Sequence, residues 1–139
     1  MTDEFELETP EGFAVYRGVQ GVDLMVVVGA PLGDRSATVI SVDADGPATT
    51  REEYVARMRA QFEREFDPHL VDQAPVPLAG LEAWWTVDAL VRDGRSLIRD
   101  SWMLVRRGIG YTAAVEMPWQ DVRRLRDGAI AIVSTLRFR

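Results

Sequence analysis
The chain of 139 residues has no cysteine, no lysine and one histidine, His69. Without Cys there is no disulfide, no thiol nucleophile, no thiolate metal site and no thioether lipid anchor. Without Lys there is no Schiff-base chemistry, no lysine general base and no Walker-type phosphate lysine. A single His with neither Cys nor a second His beside it makes a poor metal site and a poor triad. His69 therefore reads as structural, and no metal or other cofactor is expected. Basic charge is also short: sixteen bases, all Arg, face 22 acids for a net charge of −6. An acidic surface repels phosphate backbones, so no nucleic-acid partner is expected. Long apolar runs are missing too. The most apolar stretch, Leu24 to Pro31, is too short to cross a bilayer. The acidic start Met1-Thr2-Asp3-Glu4-Phe5-Glu6-Leu7-Glu8 has no basic n-region and no apolar stretch behind it. The expectation is a cytoplasmic protein with no membrane insertion.

What is present is 47% hydrophobic residues, enough for a core within one domain spanning 1–139. Four strands are predicted first: Phe5–Glu8, Phe13–Arg17, Leu24–Ala30 and Ala37–Asp43. They are separated by turn clusters at Thr9-Pro10-Glu11-Gly12, at Gly18 with Gly21, and at Pro31-Leu32-Gly33-Asp34. Asp43-Ala44-Asp45-Gly46-Pro47 reads as the end of that sheet. Its acids look superficially like a calcium loop, but Gly46 comes too early and no closing Glu follows. Thr50-Arg51-Glu52-Glu53 is a capping box, and Tyr54, Val55, Met58, Phe62 and Phe66 recur at helical spacing until Asp67-Pro68.

Strands return beyond Pro75-Val76-Pro77. Leu81–Arg92 and Arg95–Arg106 flank Asp93-Gly94, a two-residue hairpin turn, and Ile109–Met117 follows Arg107-Gly108. Pro118 then opens a second helix whose apolar stripe is Trp119, Val122, Leu125, Ala129, Ile132 and Leu136. This order predicts an α+β fold, a twisted antiparallel sheet of about six to seven strands with two main helices packed on it.

The tight turn sets a register: Arg92 opposite Arg95, Asp88 opposite Arg99, Trp85 opposite Trp102 and Trp84 opposite Met103. One face then carries Ala83, Trp85, Val87, Ala89, Ile98, Trp102 and Leu104, a core face interrupted only by Asp100. The other face holds a row of charges, Asp88, Arg99 and Glu116, once the Arg107-Gly108 turn places Arg99 opposite Glu116. The row reads as a cross-strand ion ladder or as a clamp for a charged ligand. Asp100 could serve as an acid or base, but no nucleophile or second carboxylate accompanies it. Gly108-Ile109-Gly110 lies between strands rather than before a helix, so it is no phosphate loop. No catalytic constellation emerges.

Adjacent Trp84 and Trp85 must point to opposite faces. Trp84 therefore joins Leu90, Leu97 and Met103 on the second face, which needs cover from a helix or a partner. These four are the candidate partner-binding residues. They would take an apolar or amphipathic segment of another protein, or a second copy of the chain.

The order of elements and several residues resemble the PsbP/Mog-type fold. Small bacterial members are the LpqN-like and DcrB-like proteins and the EagR-type adaptors of secreted toxins. The matching residues are Phe5-x-Leu7-x-x-Pro10-x-Gly12-Phe13, Glu53-Tyr54 opening the helix, Leu78-Ala79-Gly80-Leu81-Glu82-Ala83 before the long hairpin, and Ile130-x-x-Val133-Ser134-x-Leu136-x-Phe138 at the end. The resemblance implies a non-enzymatic protein that binds other proteins, as members do with a small GTPase, photosystem subunits or the apolar N-terminal segments of toxins. LpqN-like proteins carry an export signal and a lipid-modified Cys, neither of which matches here. The expectation is a cytoplasmic adaptor or chaperone for a secreted or membrane-destined partner. The alternatives are a lipid or acyl carrier with a pocket between helix and sheet, and an enzyme using Asp100, Arg99 or Glu116.

Overall fold
Three two-residue turns of one kind organise the second half of the chain. Ala79-Gly80, Asp93-Gly94 and Arg107-Gly108 all have both residues at positive φ, between 51° and 76°. That is the turn geometry whose twist matches two antiparallel strands. In the computed structural model, which describes residues 5–11, 13–19, 22–28 and 38–139, they link β5 (His69–Leu78), β6 (Leu81–Arg92), β7 (Arg95–Arg106) and β8 (Ile109–Pro118) into a meander. The register is the one set by the turns: Asp88 faces Arg99, Trp85 faces Trp102, and Arg99 faces Glu116 on its other side.

The first half supplies β1 (Phe5–Glu6), β2 (Ala14–Val19), β3 (Val22–Val28) and β4 (Thr38–Pro47). β4 pairs with β8, so the main sheet has seven antiparallel strands in the order β2-β3-β4-β8-β7-β6-β5. A small second sheet pairs β1 with β9 (Arg137–Phe138). The fold class is α+β, as the order of elements predicted.

Several boundaries differ from the sequence reading. β4 does not stop at Asp43; it runs on to Pro47 through a register shift after Ala44, with Gly46 at φ 91°. Gly18 lies within β2 rather than in a turn. The turn expected at Pro31 to Asp34 lies outside the described residues, as do Gly12, Gly21 and Ala37. β5 is a strand that the sequence reading missed. Its Pro75 and Pro77 cannot donate to a ladder, and an edge strand is where a sheet accepts them.

Helix α1 (Arg51–Phe66) connects β4, in the middle of the sheet, to β5 at its far edge. It therefore crosses the strands between them on one face. Thr50 Oγ1 accepts from the Glu53 amide at 3.1 Å, and Asp67 ends the helix at φ 45°. α2 (Val122–Val133) lies on the opposite face, against β8 and β4. Between Pro118 and α2 comes a single 3₁₀ turn, Trp119–Asp121. This corrects the expected helix start. Trp119 is not part of the buried stripe; it is 63% exposed.

The main core forms between the sheet and α2. Leu24, Val26, Ile40, Val42, Leu104 and Val115 meet Ala129, Ile132 and Val133 there, joined by Phe5 from β1 and by Leu136 beyond the helix. A smaller cluster lies under α1, where Tyr54 packs with Ala48 and Met103. Gly110 on β8 makes that contact possible. A Cβ there would stand 2.5 Å from the Tyr54 ring, so only glycine lets the ring sit on the strand.

Candidate binding groove
The four apolar residues assigned to a partner are not an open surface. α1 packs over their face, and Met103 and Leu90 are only 3% and 5% exposed. Trp84 is half-buried against the same helix, with the Arg51 guanidinium over its ring, and Leu97 is half-buried near the β6–β7 turn. The cover that this face needed comes, over Trp84 and Met103, from the chain's own α1. The chain must travel from β4 to β5, and the helix that does so occupies the face.

The charge row is in place, but its partners differ from the ladder. Asp88 is fully buried, and Arg59 from α1 grips it with two hydrogen bonds of 2.7 and 3.0 Å. Arg99 turns to Glu116 at 3.2 Å, and Arg92 adds a second pair to that carboxylate. Arg59 is matched by Asp88, whereas Arg92 and Arg99 share the single Glu116 carboxylate, so the row is a set of internal ion pairs joining α1 and the strands.

Asp100, on the other face, is held in the same way. Arg126 from α2 donates to both its oxygens at 2.9 and 2.8 Å, and Trp85 Nε1 donates at 3.0 Å. The Asp100 carboxylate in turn pushes the Arg126 pKa up, so that charge stays on. A carboxylate with three donors is a structural anchor rather than a free acid or base. Each helix is thus tied to its own sheet face by one buried Asp and one Arg.

Beneath α1 lies a cavity of about 60 Å³ lined by Met58, Phe62, Thr86, Arg99, Ser101 and others. The Thr86 hydroxyl is buried there with no partner among the described residues. Beside it, Tyr54 hydrogen-bonds Asp45 and Thr112. Burial, then the Asp45 carboxylate, drives the Tyr54 pKa upward. Asp43 stands close to Asp45 and Asp23, accepting from the Asp23 amide at 3.1 Å. Burial, with those two like charges, pushes its pKa up to about 6. Burial also raises Asp45. His69 is exposed at the start of β5.

The open apolar surface lies instead on the face read as core. Seven strands span roughly 29 Å at about 4.8 Å per step, whereas one helix is about 10 Å wide. α2 covers the part over β8 and β4, and Phe5, Leu7 and Phe13 pack on the same core. The part over β5, β6 and β7 is left as a groove. Half of it, about 500 Å³, is bounded by Val71, Trp85, Val87, Trp119, Val122 and Arg126. The other half, about 470 Å³, continues past Ala89 and Ile98 to Val91, Leu97 and Asp67. Trp119 stands over both halves. Of the five exposed large apolar side chains among the described residues, three line this groove: Trp119, Val91 and Val71. The signal for it in the sequence was Pro118-Trp119, read there as the start of a buried stripe.

No family model matches the sequence, and no curated protein matches it. Solved structures do. LpqN of Mycobacterium tuberculosis, described as involved in cell envelope biogenesis, superposes with a TM-score of 0.68 at 12% identity, covering 96% of this chain and 82% of LpqN. CyanoP, the cyanobacterial PsbP of Synechocystis, gives 0.66 at 14% identity, covering 99% of this chain and 88% of CyanoP. The fold is PsbP-like. A Pseudomonas aeruginosa protein of unknown function shares it at 0.64 and 18% identity, over 88% of this chain and 94% of that one. At these identities the PsbP-like assignment concerns architecture and carries no activity with it. No helix among the described residues is long and apolar enough to cross a membrane.

Proposed function
We propose that this chain is a non-catalytic binding module that takes an apolar segment of a protein partner in the groove under Trp119. It would act as a cytoplasmic adaptor or chaperone for a secreted or membrane-destined protein. The carrying observation is the convergence of Trp119, Val91 and Val71 on one open groove. Contiguous exposed apolar surface is seldom kept by a soluble chain unless it is used. Aromatic anchors with aliphatic neighbours are the residues that carry interface energy. Asp88, Asp100 and Glu116, the acids the sequence analysis singled out, are each engaged by an Arg, which supports a binding role over a catalytic one. The acyl-carrier alternative placed its pocket between helix and sheet. Under α1 that space is about 60 Å³, far below the roughly 300 Å³ at which ligand pockets begin; beside α2 a carrier would have to use the same groove of about 500 Å³, and competition by palmitate distinguishes the two occupants.

The test is site-specific photo-crosslinking in the native host. A crosslinker at Val91 or Trp119 should yield a discrete protein adduct, while one at the exposed Val15 of β2 should not. Equal adducts from all three positions, or none from the groove positions, would sink the proposal.

A further inference from the structure
Building on that reading of the groove, we infer that its occupant is an amphipathic helix of a partner protein with basic residues along one flank. Three features of the groove select it: width, length and charge. The floor runs from β5 across β6 to β7, two inter-strand steps or about 10 Å, which is a helix diameter and twice what one extended strand needs. Ala89 lies half-buried at the centre of the floor between Val87 and Ile98, which are themselves buried, so a helix would rest on Ala89 and on the exposed rim of Trp119, Val91 and Val71. It would lie next to α2 as one more helix on the same sheet face. From Trp85 to Val91 the floor is about 20 Å long, at roughly 3.3 Å per strand residue. At about 1.5 Å per helical residue, that is a helix of about 13 residues, with an apolar stripe of three to four positions.

Charge decides the flank. The groove's basic residue, Arg126, has its charge answered by Asp100 at 2.8 and 2.9 Å. The acids on the groove wall, Asp67 at one end and Asp72 towards the other, are exposed, and neither forms an ion pair with an Arg among the described residues. Asp67 caps α1 just before β5, and Asp72 lies in β5 past its bulge, so the two acids stand at separate points along one side of the groove. Basic side chains along one flank of the helix would face them. The same acids disfavour a second copy of this chain, whose net charge is −6, and disfavour an anionic lipid surface.

The probes are three synthetic peptides of about 13 residues, measured by fluorescence anisotropy against the full chain. One has a helical apolar stripe with Lys on its flank, and one has the same stripe with Glu. The third has the Lys composition rearranged to alternate apolar and polar residues as a strand. The Lys helix should bind at least tenfold more tightly than the other two. Trp119→Ala, and separately Val91→Ser, should weaken it about tenfold; both sites are exposed, so folding is not at stake. Asp67→Asn with Asp72→Asn should abolish the preference for Lys over Glu. Equal binding of the Glu helix, better binding of the alternating peptide, or no binding of any of them each overturns the inference. So does palmitate occupying the groove in place of the peptides, or self-association that Trp119→Ala removes. In every one of these cases a discrete crosslink from Val91 would leave the groove reading standing, and its loss would not.

Discussion

The indole Nε1 of Trp85 donates to the carboxylate of Asp100 at 3.0 Å, two residues on adjacent strands joined beneath the groove. Arg126 completes the set from α2, so the floor of the groove and the helix beside it share one polar anchor. A buried carboxylate left without its cation costs far more than the pair contributes when intact.

Arg126→Ala should therefore destabilise the fold by about 3 kcal/mol, measured by urea unfolding. Replacing all three polar partners with apolar residues, Asp100→Leu with Arg126→Met and Trp85→Phe, which leaves no indole N–H without its acceptor, should recover part of that loss. A triple variant no more stable than Arg126→Ala would show that the polar anchor itself, rather than the stranded charge, carries the effect.

Gly110→Ala is expected to destabilise by about 2 kcal/mol, because a Cβ at 2.5 Å from the Tyr54 ring forces the ring off β8. Gly110→Ala combined with Tyr54→Phe should be no better, since the clash is with the ring and not the hydroxyl. Thermal melts of the two variants decide it.

Asp43 gives a pH signature. Its pKa in the fold is about 6 against 3.8 for the free side chain, so the unfolded chain holds the charge more easily. Stability from this group is fully present below pH ~4 and is lost as pH rises through about 6. Asp43→Asn keeps an oxygen for the Asp23 amide, and should be more stable than the parent at pH 7 by about 1 kcal/mol once solvent screening is allowed for. The gap should close on going down to pH 4. A gap that stays constant over that range would assign the difference to packing.

Thr86→Val is an isosteric change that removes a buried hydroxyl with no partner among the described residues. Stability should stay level or rise by up to about 1 kcal/mol in denaturant titrations. A loss of that size would mean the hydroxyl is satisfied in solution, for instance through water in the adjoining cavity.

The long hairpin was legible because a turn with one allowed geometry, Asp93-Gly94, met alternation on both sides. Every pairing from Arg92–Arg95 to Trp84–Met103 follows from it. The arrangement of the helices was not legible. Alternation tells which residues share a face, but not which face a helix crosses. That is decided by where the chain goes after α1, and β5 was hidden by Pro75 and Pro77. Hence Trp84, Leu90, Leu97 and Met103 could be grouped on one face from the sequence, while the choice between a helix and a partner as their cover could not be made from it. Trp119 failed for a local reason. Pro118 closes β8, and the 3₁₀ turn after it rotates Trp119 off the helical stripe that its spacing suggested. Arg59 and Arg126 gave no signal, since an Arg on a polar helix flank looks the same whether it reaches water or a buried Asp.

The three matched turns between β5 and β8 have a consequence for how the molecule comes together. Each strand from His69 to Pro118 pairs with its immediate neighbour in the chain, so this half closes through short loops alone. β4 must instead find β8 across α1 and three strands, a much longer loop. The amides shared by β6 and β7 should gain hydrogen-exchange protection before those that join β4 to β8 do in pulse labelling during refolding. The floor of the groove would then exist before the helix that borders it arrives. A newly made chain would hold Val87, Ala89 and Ile98 ready while its own α2 is still unplaced.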